Sequence, residues 1–218
     1  MNQRFALRCA TLLVALAFFS AGPKAGTITS PRDPLAPEKV FLRVDEALEL
    51  AFPRCEVKRG TVYLSKDQKK RVADLAGLRV ATGIVYPYEA FDEKTGELVG
   101  TAYFDTHIVR NKKESLMIVV DPQSKIQRIE VCAFQEPLDY IPSDRWFAQF
   151  DDKGLTKTLQ LRKDIAAITG ATLSARAVLE CARRNLAFHQ VLLEIKAAKA
   201  KKKKEREKKR KEPASNAK

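Results

Sequence analysis

The residues best suited to chemistry stand in one short stretch near the carboxyl end, residues 168–174 (ITGATLS). Gly170 permits a positive φ and therefore a tight turn, and Ala171 has almost no side chain to block a ligand. Thr172 presents a hydroxyl where an amphipathic helix is expected to begin. The unpaired N–H groups of a first helical turn point towards any anion nearby, so the stretch is suited to holding a phosphate at Thr172.

A simpler interpretation is that Thr172 or Ser174 only caps the helix with its hydroxyl. The tetrapeptide alone favours the cap, because short motifs recur by chance. Arg176 stands one turn into the expected helix and is within reach of a phosphate, but an exposed helical arginine needs no such role.

The tetrapeptide Thr169–Thr172 (TGAT) resembles the flavinylation motif of the FMN-binding domain family. That family includes flavin-bearing subunits of sodium-pumping NADH:quinone reductase and of related ferredoxin-linked complexes. Its motif reads Ser/Thr-Gly-Ala-Thr, and a dedicated flavin transferase attaches FMN to the last threonine outside the cytoplasm. The resemblance therefore implies FMN joined to Thr172 by a phosphoester. The other motif residues that it places at the cofactor are Thr169, Gly170, Ala171 and Ser174.

The resemblance extends over roughly residues 45–195. Residues 47–53 (ALELAFP) resemble the family's opening helix, residues 118–131 (IVVDPQSKIQRIEV) its central hairpin, and residues 146–150 (WFAQF) its aromatic segment. The order and spacing of these pieces match, which a chance tetrapeptide would not give. Flavin attachment is therefore favoured over the helix cap.

Two further residues are assigned to the cofactor, and one position departs from the family. Trp146 can stack on the isoalloxazine ring, with core packing an equal alternative. Glu136 stands, before Pro137, where the family often has a Glu-Thr pair, and only the resemblance suggests its role. The family usually has an aspartate six residues before the attachment threonine, whereas this chain has Ala166.

The two ends differ from the body of the chain. Residues 1–25 have Arg4 and Arg8, then an apolar run over 10–19 and small residues, the order of a secretory signal peptide. An uncleaved anchor is the alternative. Residues 26–39 are rich in Pro, Ser and Thr and are predicted to form a linker. An extracytoplasmic location, periplasmic or secreted, is expected.

The remaining chain divides into an FMN-binding domain, 40–195, and a Lys-rich tail, 196–218. Of the formal net charge of +13, the tail supplies +9 and residues 1–24 supply +3, which leaves +1 for the rest. The body therefore lacks the overall basic charge of a nucleic-acid-binding domain. The tail has no apolar face, so we expect it to be solvent-exposed or disordered, and an anionic membrane surface is a candidate partner.

The cysteines and histidines give little sign of a further site. Cys55, Cys132 and Cys181 follow the signal peptide. Three thiols allow one disulfide in an oxidising compartment, but buried, unpaired cysteines are the default. No Cys-x-x-Cys motif or local Cys/His cluster is present, so neither a zinc nor an iron–sulfur site is expected. His107 is predicted to be a surface or edge histidine, and His189 lies in the last helix.

The pattern of apolar residues predicts an α+β fold. A small antiparallel sheet over residues 78–133 should pack against helices, with a long C-terminal helix and a basic tail. The elements predicted in the sequence are helices at 40–52, 66–76 and 173–195, a strand at 61–64, and strands at 78–86, 98–109, 116–121 and 126–133. Residues 134–154 are predicted to be irregular.

The expected function is an extracytoplasmic electron carrier, because no set of acid and base residues accompanies the flavin motif and the redox chemistry belongs to the cofactor. Redox partner proteins and a flavin transferase are the implied partners. One alternative is a secreted protein without flavin whose tail binds anionic membrane or cell-wall polymer. Another is a stand-alone flavin reductase, which would need a nucleotide site that the sequence does not show.

Overall fold

The structure, a computed structural model, describes residues 39–211. The predicted signal peptide (1–25) and residues 26–38 of the predicted linker lie outside the described residues. Lys39, the last residue of that predicted linker, belongs instead to a strand.

The order of elements is mixed, with the strands concentrated in the first two thirds of the chain. The helices are α1 (Val44–Ala51), α2 (Lys66–Ala76), α3 (Asp144–Phe147) and α4 (Thr172–Lys211). The strands are β1 (Lys39–Val40), β2 (Cys55–Arg59), β3 (Val62–Tyr63), β4 (Ile84–Val85), β5 (Tyr88–Asp92), β6 (Leu98–Val109), β7 (Lys112–Val120) and β8 (Ile126–Phe134). Two single-turn 3-10 helices, Leu138–Tyr140 and Ala148–Phe150, flank α3.

Six strands form one antiparallel sheet in the order β1-β8-β7-β6-β5-β2. Its centre is the meander β6–β7–β8, whose two tight turns contain Arg110 and Ser124 with φ of 56° and 63°. Strands β3 and β4 form a separate two-stranded ladder. The predicted α+β class, with an antiparallel sheet packed against helices and a long C-terminal helix, is confirmed.

Strand β7 is buried on both faces, which explains its unbroken apolar sequence. Leu116 and Ile118 face the larger core, which is formed with α2, α4 and the loop that precedes α4. Met117 and Val119 point to the opposite face and pack in a smaller core that includes Phe52 at the end of α1. Successive side chains of a strand alternate between faces, so this one strand contributes to both cores.

Helix α4 is the main helical support of the sheet. It packs against α2, β6 and β7, and most of its side chains from Ala175 to Leu192 are buried. Leu193, which follows this buried stretch, is 37 % exposed. The helix continues through the Lys-rich segment to Lys211, and residues 196–208 are exposed. The tail therefore extends the helix into solvent.

Two predicted elements differ from the structure, and some strands of the main sheet were not predicted. The strand predicted at 78–86 is reduced to Ile84–Val85, paired with Val62–Tyr63 and not with the main sheet. The main sheet is completed instead by β2 and β5, which were not predicted as strands. The helix predicted from residue 40 begins at Val44, after Val40 has paired with Ala133 of β8.

Two further observations concern the pairing of the cysteines and the suitability of the helices for spanning a membrane. Cys132 and Cys181 are buried free thiols, as the default interpretation expects, whereas Cys55 is a free thiol that is only partly buried. Within residues 39–211, no helix combines the length and the apolar character that crossing a bilayer requires.

Candidate flavin-attachment site

The segment that leads into α4 is fixed by the aromatic segment around α3. Trp146 Nε1 donates a hydrogen bond to the Ala166 carbonyl oxygen at 2.7 Å. The Ala166 N–H donates to Gln149 Oε1 at 2.8 Å, and Gln149 Nε2 donates back to the Trp146 carbonyl oxygen at 3.1 Å. Both backbone groups of Ala166 are therefore held by side chains from one short segment. Next to it, the Ile165 side chain is fully buried in the larger core.

Gly170 makes the turn into the helix. Its φ is 85°, a conformation that residues with a side chain rarely adopt. A Cβ there would meet no atom within 4 Å, so the backbone conformation, and not crowding, requires glycine. The predicted positive φ is confirmed. The Ala175 N–H then donates to the Ala171 carbonyl oxygen at 3.0 Å, and the helical hydrogen bonding begins.

Thr172 is the first residue of α4, and its side chain is exposed. Its Oγ1 donates to the Ile168 carbonyl oxygen at 3.1 Å. A capping side chain would instead accept a hydrogen bond from a backbone N–H of the first turn. The observed contact therefore differs from a cap interaction, and the hydroxyl oxygen stays accessible from solvent.

The other predicted site residues near Thr172 differ in their exposure to solvent. Thr169, Gly170 and Ala171 adjoin Thr172 at the start of the helix, and Arg176 lies exposed one turn along it. Away from that exposed face, the Ser174 side chain is only 3 % exposed and points into the protein.

Trp146 and Glu136 lie apart from the exposed motif. Trp146 is buried, with its ring edge-on to Phe147 and Phe150 at centroid distances of 5.5 and 5.3 Å. It reaches the motif through the Ala166 carbonyl, a positioning contact that the sequence did not indicate. Glu136 is buried in the loop after β8, and no hydrogen bond joins it to the motif in the part of the chain that the structure describes.

A family model covers this region of the chain. Residues 111–187 match the FMN-binding domain. The matched range begins just before β7 and ends within α4, so it includes Trp146, Gly170 and Thr172. It lies inside the predicted domain, 40–195. The resemblance inferred from the TGAT motif is confirmed, and the match supports FMN as the ligand.

Comparison with solved structures gives a similarity to NqrC from Shewanella oneidensis. The TM-score is 0.46 at 15 % sequence identity, and the alignment covers 63 % of this chain and 84 % of that chain. A similarity at this level assigns no function. No curated protein matches the chain.

A second polar cluster lies between β6, β7 and α4. Arg184 donates two hydrogen bonds to Asp105, from Nε to Oδ2 and from Nη2 to Oδ1, both at 2.8 Å. His107 Nδ1 lies 3.3 Å from Asp105 Oδ1, and His107 Nε2 lies 2.9 Å from Glu114 Oε2. The prediction of a surface or edge histidine at 107 is wrong, because β6 lies inside the sheet and the His107 side chain is only 15 % exposed and is bonded on both ring nitrogens.

The charges of this cluster shift one another's pKa values. Burial alone would raise the pKa of Asp105, but hydrogen bonds and charge from His107 and Arg184 outweigh it and hold that pKa below its usual range. Burial would lower the pKa of His107, but Asp105 and Glu114 outweigh it and raise the pKa to about 9. The sequence could not show this cluster, since its members come from three separate elements.

A cavity of about 380 Å³ opens beside the cluster, and Asp105, His107 and Arg184 line one side of it. Tyr103, also in its wall, is hydrogen-bonded through Oη to Nδ1 of buried His189 at 2.9 Å. Neither Thr172 nor Thr169 lines this cavity. The described part of the chain therefore has two separate polar regions, an exposed one at the start of α4 and a buried one further along the same helix.

Proposed function

We propose that this chain is an FMN-binding electron-transfer protein in which FMN is attached to Thr172 through a phosphoester. The observation that carries the proposal is the exposed Thr172 hydroxyl on the first residue of α4, within the range that matches the FMN-binding domain. FMN ends in a phosphate, and that hydroxyl is the one the resemblance assigns as its attachment point.

The residues around Thr172 fit a phosphoester. Esterification forms the bond from Thr172 Oγ1 to phosphorus and breaks the phosphoanhydride bond of an activated FMN donor supplied to the transferase. Thr172 gives up its hydrogen bond to Ile168, and its proton leaves with the departing phosphate group of that donor. The phosphate oxygens then lie near the first-turn N–H groups of α4 and the positive end of its dipole, a favourable interaction of about 0.3–1 kcal/mol. Arg176, exposed one turn further on, adds a second positive charge on the same helix.

The flavin, when bound, supplies the redox chemistry. The protein's part is to hold it at the surface. Both Thr169 and Thr172 are exposed, which favours close approach by a redox partner protein.

Location and maturation belong to the same proposal. The charge and hydropathy order of residues 1–25 supports export, and a flavin transferase outside the cytoplasm would form the phosphoester. Ala166, where the family usually has aspartate, exposes its side chain near the motif. If the transferase needs that carboxylate, attachment will be slow.

The test is the mass of the exported protein. The full chain is produced with a flavin transferase and a functional export route, and its intact mass is compared with that of protein made without the transferase. We expect an added mass of one FMN less one water, located by peptide mapping in residues 164–176. Thr172→Val, which keeps the shape but lacks the hydroxyl, should abolish it, and Thr172→Ser should retain part.

The matched control is Thr169→Val, which removes the neighbouring exposed hydroxyl of the same motif. It should keep the added mass. Covalent flavin that persists in Thr172→Val would overturn the assignment. If Thr172 were only a helix cap, its replacement by alanine would cost about 1 kcal/mol of stability and change nothing else.

The exposed basic end of α4 favours a second candidate function, binding to an anionic membrane or cell-wall polymer without flavin. Residues 196–208 are exposed and include Lys201–Lys204. Clustered lysines near an anionic surface contribute about 1 kcal/mol each. Wild type that acquires no flavin despite an active transferase, but binds anionic vesicles through the tail, would favour this candidate.

A further inference from the structure

We propose that Asp105, His107 and Cys181 form a Zn²⁺ site between β6 and α4, separate from the flavin-attachment site. One oxygen, one nitrogen and one sulfur from these residues lie within 4.8 Å of one another. Thiolate, imidazole and carboxylate are the side chains that bind zinc most often, and a mixed set of this kind is typical of it. No local motif indicates this site, because only the fold brings Cys181 of α4 to two residues of β6.

The spacing of two of these atoms agrees with zinc coordination. Asp105 Oδ1 and His107 Nδ1 are 3.3 Å apart, longer than the roughly 2.7–2.9 Å of a strong charge-assisted hydrogen bond. Two ligands that are each about 2.0–2.1 Å from a tetrahedral zinc stand about 3.3–3.4 Å apart. A zinc ion between them therefore needs little movement of either side chain, whereas Cys181 Sγ must move closer.

The orientation of the His107 ring also suits a metal ligand. Its Nε2 lies 2.9 Å from Glu114 Oε2, which leaves Nδ1 facing Asp105. Histidines that bind metals usually donate their other ring N–H to a carboxylate, which fixes the ring and strengthens the ligand. Glu114 occupies that outer position.

Glu114 supplies an independent sign that a positive charge belongs here. Its side chain is 1 % exposed, and its Oε1 has no hydrogen-bond partner among the described residues. A buried carboxylate with one oxygen unpartnered is unfavourable. In the absence of metal, protonated His107 supplies the positive charge beside this carboxylate, and a zinc ion that replaces the His107 Nδ1 proton would keep a positive charge there.

Arg184 positions Asp105 but does not account for the whole cluster. Arg184 donates to both oxygens of Asp105, from Nε to Oδ2 and from Nη2 to Oδ1, each at 2.8 Å, and Asn185 Nδ2 donates to Oδ2 at 3.2 Å. Oδ1 is also the oxygen that faces His107 Nδ1, so a zinc ion there would share this oxygen with Arg184. Asn185 Nδ2 also lies 3.4 Å from Cys181 Sγ, a contact that supports a thiolate. The ion pair alone explains neither this placement of Cys181 nor the unpartnered oxygen of Glu114.

The neighbouring cavity gives the site an approach and a fourth position. Cys181 is fully buried, but Asp105 and His107 line the cavity of about 380 Å³. Zinc reaches the cluster from that side, and a water molecule completes its tetrahedral coordination there. Binding needs a neutral imidazole and a thiolate, so both ligands release their protons to solvent. The bound ion would join α4 directly to β6.

The test uses the full chain, without an affinity tag and without flavin, so its result does not depend on the proposed function. Metal is removed with a chelator, and Zn²⁺ alone is titrated in by calorimetry. We expect one tight site per chain. Co²⁺ in place of Zn²⁺ should give a sulfur-to-cobalt charge-transfer band, which reports the thiolate in wild type without any substitution.

Four variants complete the experiment. Cys181→Ser and His107→Gln should each weaken zinc binding by more than about 100-fold, and Glu114→Gln by about 10–100-fold, the usual effect of losing an outer carboxylate. Cys132→Ser, a buried thiol in the other core, should leave affinity and spectrum unchanged. Circular dichroism confirms that each variant is folded. Absence of tight zinc binding, of the cobalt–sulfur band, or of any difference between Cys181→Ser and Cys132→Ser would overturn the site.

Discussion

The indole nitrogen of Trp146 donates to the carbonyl oxygen of Ala166 at 2.7 Å and so ties the aromatic segment to the residues that precede the attachment threonine. Its ring is buried, edge-on to Phe147 and Phe150. In this structure Trp146 acts on the motif by positioning its backbone, and the exposed ring face that stacking on a flavin requires is missing.

This contact predicts the effect of replacing Trp146 by phenylalanine. Trp146→Phe keeps an aromatic ring in the core but loses the donor to Ala166, so we expect a stability loss of about 0.5–1.5 kcal/mol from the hydrogen bond, plus some packing loss. Covalent FMN should also fall, because the segment before Gly170 is less firmly held. Urea unfolding and flavin fluorescence of the denatured protein measure the two effects.

Phe147→Leu is the control, since it alters packing on the same segment and leaves the hydrogen bond to Ala166 in place. It should lower stability and keep the extent of flavin attachment. If both variants lose flavin in proportion to their stability, the hydrogen bond has no specific positioning role.

A second prediction concerns the position that departs from the family. Ala166 exposes its side chain, and both of its backbone hydrogen bonds are independent of that side chain. Ala166→Asp should therefore leave the fold intact and accelerate attachment of FMN to Thr172. The time course of the FMN mass increase with a fixed amount of transferase measures the rate. Ala166→Asn, equal in shape but uncharged, should show no acceleration, and equal rates for the two variants would exclude a role for the carboxylate.

The sequence was informative where local chemistry decides the structure. The turn at Gly170, which precedes α4, follows from glycine conformation. Helix α2, predicted at 66–76, is bounded by capping Ser65 and by Gly77 with a positive φ, and the structure has both elements. The meander was predictable because β6, β7 and β8 are long and mostly apolar.

Elements that depend on distant pairing were not predictable. Strand β2 (CEVKR) is a partly exposed edge strand whose apolar residues, Cys55 and Val57, alternate with charged ones over too short a run to identify a strand, and pairing with β5 defines it. In the stretch predicted as a strand at 78–86, Val80 and Val85 are buried, but only two residues pair. The Trp146–Ala166 bond and the approach of Cys181 to His107 likewise arise only when the chain has folded.

The exposed end of α4 predicts that the tail is dispensable for folding. Residues 199–208 bury almost no surface, so deletion of residues 199–218 should change the free energy of unfolding by less than about 0.5 kcal/mol. Binding to anionic vesicles, where it occurs, should weaken and become less dependent on salt. Replacing Lys201–Lys204 by glutamine is the matched control, since it removes charge but keeps the length. Loss of the folded state on truncation would contradict this prediction.

Buried His189 predicts a loss of stability in mild acid. Burial lowers its pKa to about 4, below the value of about 6.5 for histidine in an unfolded chain. The unfolded state therefore binds the proton more readily, and stability falls as the pH drops from about 6.5 towards 4, by up to a few kcal/mol at about 1.4 kcal/mol per pKa unit. His189→Gln cannot take up that proton, so its free energy of unfolding in urea should fall less steeply over this range, although it is less stable at pH 7 through poorer packing. Carboxylates titrate in both proteins and cancel in the comparison. Parallel curves for the two proteins between pH 6.5 and 4.5 would show that His189 does not contribute.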